Sequence, residues 1–400
     1  MSQLYLAPYI VPAFHLSNEQ VGMLASVLAI TWAISTLVFG ALSDRLGRRK
    51  ILIPAVFAFS ILSWVSGLAQ SFQQLLLIRA LMGIAEGPTW SIMTALIEES
   101  SPRTRRGRNV GIVVSAAALV GLAVAPVLST QVAARWGWRW AFFVAGVPGL
   151  ILGALIWRFV KEPVKDARAG GGHAKPRLRG YVTVLRYRNM WLCCVAAAGL
   201  ISWLFLLNVF APLYITDVAR QEPTTAGFLL GASGLGSFFI GLAFPALSDR
   251  VGRKTVLVAM ALISAVLPLA LLQGQLYSHL WWLALILFLT NSSQALSSLV
   301  LVIVPTESVP ATYAATSIGL ATLTGELFGA TAATLLGGAL SQKYGLGIPL
   351  WMCVGGSIVI LLATMFLKNP VKGMSSTAPL KSEPQSFITG SDEPHSVQRI

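Results

Sequence analysis

GALSDRLGRRK occupies residues 40–50 and PALSDRVGRKT residues 245–255, and this recurring charged loop decides how the chain is read. In both copies an apolar run ends in Ser-Asp-Arg, a glycine follows one residue later, two basic residues come next, and apolar residues resume. Asp44 and Asp249 are 205 positions apart. Two further pairs keep nearly the same spacing: ESSP (99–102) with ESVP (307–310), offset 208, and LAPYI (6–10) with FAPLYI (210–215), offset 204. Three matches at almost one offset indicate a unit carried twice in the same direction. Parallel repeats of membrane helices place a site near the bilayer midplane, between the two halves.

The composition between these landmarks sets the fold class. Apolar residues make up 55% of the 400 and charged residues 11%, with a mean hydropathy of +0.72. Soluble domains carry about 25% charged residues, and a spanning helix needs about 20 mostly apolar ones. Apolar runs of that length recur along nearly the whole chain. Outer-membrane barrels alternate in segments of about ten residues, and no such alternation is present. The expected fold is an all-α polytopic membrane protein with spans near 1–14, 20–42, 51–69, 74–97, 109–133 and 139–160, then 189–214, 224–247, 255–273, 279–304, 312–340 and 347–367. Residues 1–160 form the first six-helix half and 189–367 the second. A basic linker with a Gly170-Gly171-Gly172 hinge covers 161–188, and a Ser/Pro/Thr-rich tail at 368–400 is expected to be disordered. By the repeat, the first helix is incomplete: the seventh starts 23 residues before Pro212, so its counterpart would start about fifteen residues before Met1, ~22 Å of helix. Residues 1–14 are too short to span and lack a basic leading region, so they are not a signal peptide.

The net charge of +14 and pI near 10.1 would suggest nucleic acid in a soluble chain. Position argues otherwise. Of the 29 Lys and Arg, all but Arg79, Arg135, Arg139, Arg220 and Lys343 fall in alternate loops or the tail. That asymmetry marks those loops as cytoplasmic, so the expected partner is a lipid bilayer and not nucleic acid. Cys193, Cys194 and Cys353 lie in apolar spans without metal-ligand spacing, and the four His are scattered. No metal site and no cofactor are expected, and the chain is expected to act as a monomer.

The loop Gly-x-x-x-Asp-Arg-x-Gly-Arg-Arg/Lys resembles the signature loop of the major facilitator superfamily. GWRWAFFVAGVPGLILGAL (137–155) adds to the resemblance, which covers essentially the whole chain. It implies a secondary transporter, not an enzyme. In physical terms, Gly40 lets its helix end approach a neighbour closely, and Gly47 belongs to the same candidate latch. Asp44 can face the positive N-terminus of a helix from the other half while pairing with Arg45 or Arg48. Such a latch holds the halves together on the cytoplasmic side. The second copy keeps Asp249, Arg250 and Arg253 but has Pro245 in place of Gly40, which makes its latch the more doubtful of the two. The plainer reading is that these are solvated loop charges that obey topology.

The fourth span, LLLIRALMGIAEGPTW, carries Arg79 and Glu86 seven positions apart, ~10 Å along one helical face. A charge facing lipid costs at least ~2.5–3.5 kcal/mol, so both should face the bundle interior. The separation excludes a close ion pair. Arg-x-x-x-Gly-x-x-Glu resembles the fourth helix of the superfamily's anion:cation symporters, where the Arg holds an anionic substrate and the Glu exchanges a proton. Glu326 stands midway along the eleventh span with no basic residue in that span. It is either a second proton-coupling group or a neutral, hydrogen-bonding packing residue. Asn291, Gln294 and Ser298 fall on one helical face of the tenth span, and Asn208 lies late in the seventh. These either contact substrate or join helices. Trp32, Trp90, Tyr5, Tyr9 and Tyr214 are candidate cavity aromatics, although packing and interfacial roles are commoner for such residues. The fifth span has Gly121 and Pro126 but lacks the Gly-Pro plus Gly-Gly arrangement of proton–drug antiporters, and no phosphate-binding Gly-rich loop is present. The expected activity is proton-coupled import of a small organic anion, a sugar acid or an aromatic or other carboxylate, across a bacterial inner membrane. The alternative is proton-coupled efflux of drugs or metabolites.

Overall fold

A computed structural model describes residues 2–101, 112–113, 115–160, 183–310 and 313–367. Most of the linker, the tail, and the side chains of Asp44, Arg45 and Glu99 lie outside the described residues. The described residues fold into helices, with no strand among them. Chain order gives α1 (Ser2–Tyr5 and Ala7–Phe14), α2 (Asn18–Leu46), α3 (Arg48–Gly67), α4 (Phe72–Ser100), α5 (Ser115–Trp136) and α6 (Trp138–Phe159). After the linker come α7 (Arg188–Val218), α8 (Pro223–Val251), α9 (Arg253–Leu272), α10 (Leu280–Glu307), α11 (Thr316–Tyr344) and α12 (Gly347–Met365). Ten of these are long and apolar enough to cross a membrane. The helix α1 is too short, and α4, although 29 residues long, carries Arg79 and Glu86 within its apolar stretch.

The repeat seen in the sequence is also present in the backbone. The helices α2 and α8 each run 29 residues and α3 and α9 each run 20, at an offset of 205. Between them Gly47 (φ 111°, ψ 141°) and Gly252 (φ 105°, ψ 141°) adopt one conformation, which a side chain would strain. Each helix therefore turns directly into the next. Gly137 (φ 89°, ψ 154°) and Gly345 (φ 94°, ψ 161°) repeat the device before α6 and α12. The basic residue that follows the first turn is also used twice. Arg49 donates to the Trp157 carbonyl near the end of α6, and Lys254 Nζ to the Met365 and Leu367 carbonyls at 2.6 and 3.2 Å at the end of α12. A cation on the last carbonyls satisfies groups that the helix leaves unpaired and complements its dipole.

Small residues set the helix crossings, as expected where lipid gives no hydrophobic drive to association. A Cβ at Gly83 would lie 2.5 Å from the Leu28 carbonyl, and one at Gly87 2.7 Å from that of Trp32, so α4 touches α2 backbone to backbone. Gly40, expected to make the close approach, does not: a Cβ there would find Ser91 Oγ at an ordinary 3.9 Å. The two helices are already fixed by the glycine pair four residues apart in α4. Other crossings join α1–α6 to α7–α12. Gly22 meets the Thr334 carbonyl (2.5 Å from a Cβ), Gly338 the Asn18 carbonyl (2.9 Å), and Gly227 and Gly231 the Pro126 and Ala123 carbonyls (both 2.8 Å). Hydrogen bonds reinforce the first of these: Ser26 Oγ lies 2.6 Å from Thr334 Oγ1, and the Asn18 amide donates to Gln342 Oε1 at 2.9 Å. These contacts gather toward the starts of α2 and α8, the ends farthest from the Gly47 and Gly252 turns.

Candidate functional site

A cavity of about 310 Å³ lies among α1, α2, α4, α7 and α11. Its polar lining consists of Arg79, Glu86, Asn208 and Glu326; Trp32 and Phe205 are its aromatics, and the remainder is aliphatic. The structure thus brings together the two charges of α4, the carboxyl of α11 and the amide of α7. That much agrees with the expectation that Arg79 and Glu86 face the interior.

Arg79 is 4% exposed. Its Nη1 reaches only the Met82 sulfur, at 3.2 Å, a weak acceptor. Its Cζ stands 6.0 Å from the Phe142 ring centroid, and its Nε has no hydrogen-bond partner. Among the described residues no carboxylate lies within ion-pair distance of it, as the seven-residue spacing to Glu86 requires. Glu86 is half-buried, two turns further along the same face of α4 and on the same wall of the cavity. Glu326 is 9% exposed and, among the described residues, has no hydrogen-bond or ion-pair partner. It is carried by a π-helical stretch, Gly325–Ala333, in which Gly329 sits so close to α7 that a Cβ would lie 2.6 Å from the Ser202 amide nitrogen. Such widened turns re-aim side chains and are frequent at functional sites. Asn208 is already engaged: its Nδ2 donates to the Leu204 carbonyl at 2.7 Å and its Oδ1 accepts from the Tyr5 hydroxyl at 3.1 Å.

Three expected contacts with the cavity are not found. Asn291 is buried between α10 and α8, donating to Ser233 Oγ at 2.7 Å and accepting from the Ser293 amide. Gln294 borders a separate crevice of about 30 Å³ with Ser115, Phe238 and Ser298. The helical-face argument fails here because α10 is interrupted: one segment ends at Thr290, another starts at Ser293, and a π-helical stretch begins at Ser298. Continuous 3.6-residue spacing does not survive those breaks. Trp90 is 42% exposed and does not line the cavity. Pro88, inside α4, has no N–H to donate to the Ile84 carbonyl, and the aromatic lining falls to Trp32 and Phe205.

The charged loop between α8 and α9 makes its described contacts within its own group of helices. Arg253 reaches Asp249 (2.6 Å), Glu307 (2.9 Å) and Ser248 Oγ (2.5 Å), tying the end of α8 and the start of α9 to the end of α10. Arg250 is exposed. Glu307 had not been assigned a role from the sequence, although its pairing with Glu99 across the repeat was the available signal. In the first copy Arg48 is half-buried.

Long apolar helices surround a central cavity whose lining carries three charged side chains, Arg79, Glu86 and Glu326. A sequence profile described as Major Facilitator Superfamily matches residues 1–333, and the chain belongs to that superfamily. It is 33% identical over 265 residues to the probable 4-methylmuconolactone transporter of Cupriavidus pinatubonensis, covering 64% of this chain and 60% of that one. The chain thus spans about 60% of the length of that relative. It is 27% identical over 372 residues to the cis,cis-muconate transport protein of Acinetobacter baylyi, covering 89% and 87%. It is also 27% identical over 280 residues to the multidrug resistance protein MdtG of Dickeya zeae, covering 68% and 66%. Among solved structures, the nucleoside transporter NupG superposes with a TM-score of 0.74 at 14% identity, covering 90% of this chain and 94% of that one, a likeness of fold.

Proposed function

We propose that this chain is a secondary carrier that moves a small organic anion together with a proton across a bacterial inner membrane. The observation that carries the reading is Arg79, a buried guanidinium that faces a mostly apolar cavity with its Nε unpaired. An unpaired buried charge costs several kcal/mol, and a bound carboxylate offsets that cost with geometry that suits the guanidinium fork. The relatives named for muconolactone and muconate transport support the same charge preference. In this reading Glu86 is the principal proton exchanger and Glu326 a second carboxyl open to the same cavity. The contacts near Gly22 and Gly227 close one end of the bundle. With the basic loops cytoplasmic, this is a carrier closed outward, its two six-helix halves rocking about the site. Asp44, Arg45 and Arg48 then belong to a latch that forms when the cytoplasmic ends close.

The likeness to MdtG favours efflux by antiport as a second reading. Arg79 weighs against it for cationic drugs, which would meet a like charge in a low-dielectric cavity. Purified protein in liposomes separates the two. An inward proton gradient should drive uptake of a labelled carboxylate such as 4-hydroxybenzoate. Gradient-driven extrusion of a cationic dye, with no carboxylate uptake, would establish antiport.

A further inference from the structure

We infer that the cavity is built for a monovalent carboxylate with an apolar body, and that Glu326 is the residue that turns away a second negative charge. The inference rests on the organic-anion reading and narrows it. Among the described residues, the lining holds one cation, Arg79, against two carboxyl groups, Glu86 and Glu326. One carboxylate on Arg79 supplies the missing counter-charge. A second carboxylate on the same substrate finds no second cation in the described lining, and on the α11 side it meets Glu326, which has no ion-pair or hydrogen-bond partner among the described residues. Two carboxylates side by side in a low-dielectric site cannot both stay ionised. A second carboxylate there must itself take up a proton or force one onto Glu326, at a cost that a single carboxylate does not meet. A hydroxyl at that end of the substrate, by contrast, can donate to Glu326.

The walls exclude polyhydroxylated acids by a separate argument. Asn208 has both its amide nitrogen and its carbonyl oxygen engaged, and the rest of the lining is aliphatic or aromatic, with Trp32 and Phe205 the largest groups. Several sugar hydroxyls would leave water for a surface with few acceptors, and an unpaired buried hydroxyl is unfavourable. A flat or branched apolar body loses nothing there. The cavity volume of about 310 Å³ lies at the small end of ligand pockets, about 300–1,000 Å³. It therefore suits a single ring or a short unsaturated chain.

Three probes isolate the two arguments: 4-hydroxybenzoate, terephthalate (the same ring with a second carboxylate) and glucuronate (one carboxylate, many hydroxyls). Equilibrium binding to purified protein in detergent avoids any dependence on proton coupling. The wild type should bind 4-hydroxybenzoate at least tenfold more tightly than either of the others. In Glu326→Gln the ratio for terephthalate should fall by tenfold or more while that for glucuronate holds. In Glu326→Asp, which keeps the carboxyl, the terephthalate ratio should stay near the wild-type value. Equal wild-type affinity for terephthalate or glucuronate overturns the inference, whether or not the variants fold. So does an unchanged terephthalate ratio in a folded Glu326→Gln protein. If the wild type binds none of the three, the organic-anion reading falls as well. If it binds them without preference, only this inference falls.

Discussion

Arg253 of α9 grips Glu307 of α10 and Asp249 of α8 at the same time, at 2.9 and 2.6 Å. The two arms differ in their surroundings. The Asp249 side chain is 62% exposed, whereas those of Arg253 and Glu307 are 20% and 30% exposed. Exposed pairs contribute about 0–1 kcal/mol, so most of the grip comes from Glu307. Glu307 accepts from both Nε and Nη2 of the guanidinium, an in-plane fork that an ammonium cannot reproduce.

Glu307→Gln is therefore expected to lower the stability of the second helix group by about 1–2 kcal/mol, the range for a hydrogen-bonded charged pair that is partly screened. Asp249→Asn should cost less than about 0.5 kcal/mol. Thermal unfolding in detergent ranks the two, and a larger loss for Asp249→Asn would place the holding contact on the wrong arm.

How far the sequence carried can be read from particular residues. The Asp44/Asp249 recurrence sufficed for the repeat because Gly47 and Gly252 occupy the same positive-φ conformation, and only a glycine does so without strain. Arg79 and Glu86 line the cavity, and the cost of a charge in lipid makes that side legible from the sequence. Asn291 and Gln294 were misplaced because breaks at Asn291 and Ser298 change the helical phase, and no residue type in TNSSQALSS announces a π-helical turn. The partner of Arg253 was missed for a different reason: Glu307 is distant in sequence, and one sequence does not say which acidic residue folds back to a given arginine. Phe205 gave no signal, because a phenylalanine in a continuous apolar run is equally suited to lipid, core or cavity.

Arg79→Lys should weaken carboxylate binding by about 10- to 100-fold, equivalent to about 1.4–2.8 kcal/mol, because Lys retains the charge but not the paired donors. The fold should persist, since among the described residues Arg79 makes no ion pair that the change would break. Titration calorimetry with 4-hydroxybenzoate on protein that elutes as a single species decides the matter. Unaltered affinity would mean that the guanidinium does not hold the substrate.

Glu86→Gln should abolish accumulation driven by a proton gradient while preserving exchange of internal for external substrate. Exchange needs the anion site and the conformational cycle but no net proton movement. The paired measurement in liposomes, uphill uptake beside counterflow, separates loss of coupling from loss of the site. Uptake that keeps its dependence on external pH in this variant would move the proton elsewhere, with Glu326 next in line.

Gly22→Ala should shift the carrier away from the conformation described here. The added Cβ would sit 2.5 Å from the Thr334 carbonyl and 3.2 Å from the Gly338 Cα. Both are backbone atoms that cannot rotate aside, so α2 and α11 must separate. Overpacking of this kind costs about 1–3 kcal/mol, and only in the state in which these two helices touch. A penalty confined to one state moves the equilibrium by about 5- to 150-fold. The readout is cross-linking between cysteines introduced at Asn18 and Gln342, neighbours through the 2.9 Å contact of the Asn18 amide with Gln342 Oε1. The yield should drop sharply in Gly22→Ala. It should hold in Gly40→Ala, where the added methyl meets only Ser91 Oγ at 3.9 Å. Equal yields in the two variants would show that the Gly22–Gly338 crossing is not what keeps this end shut.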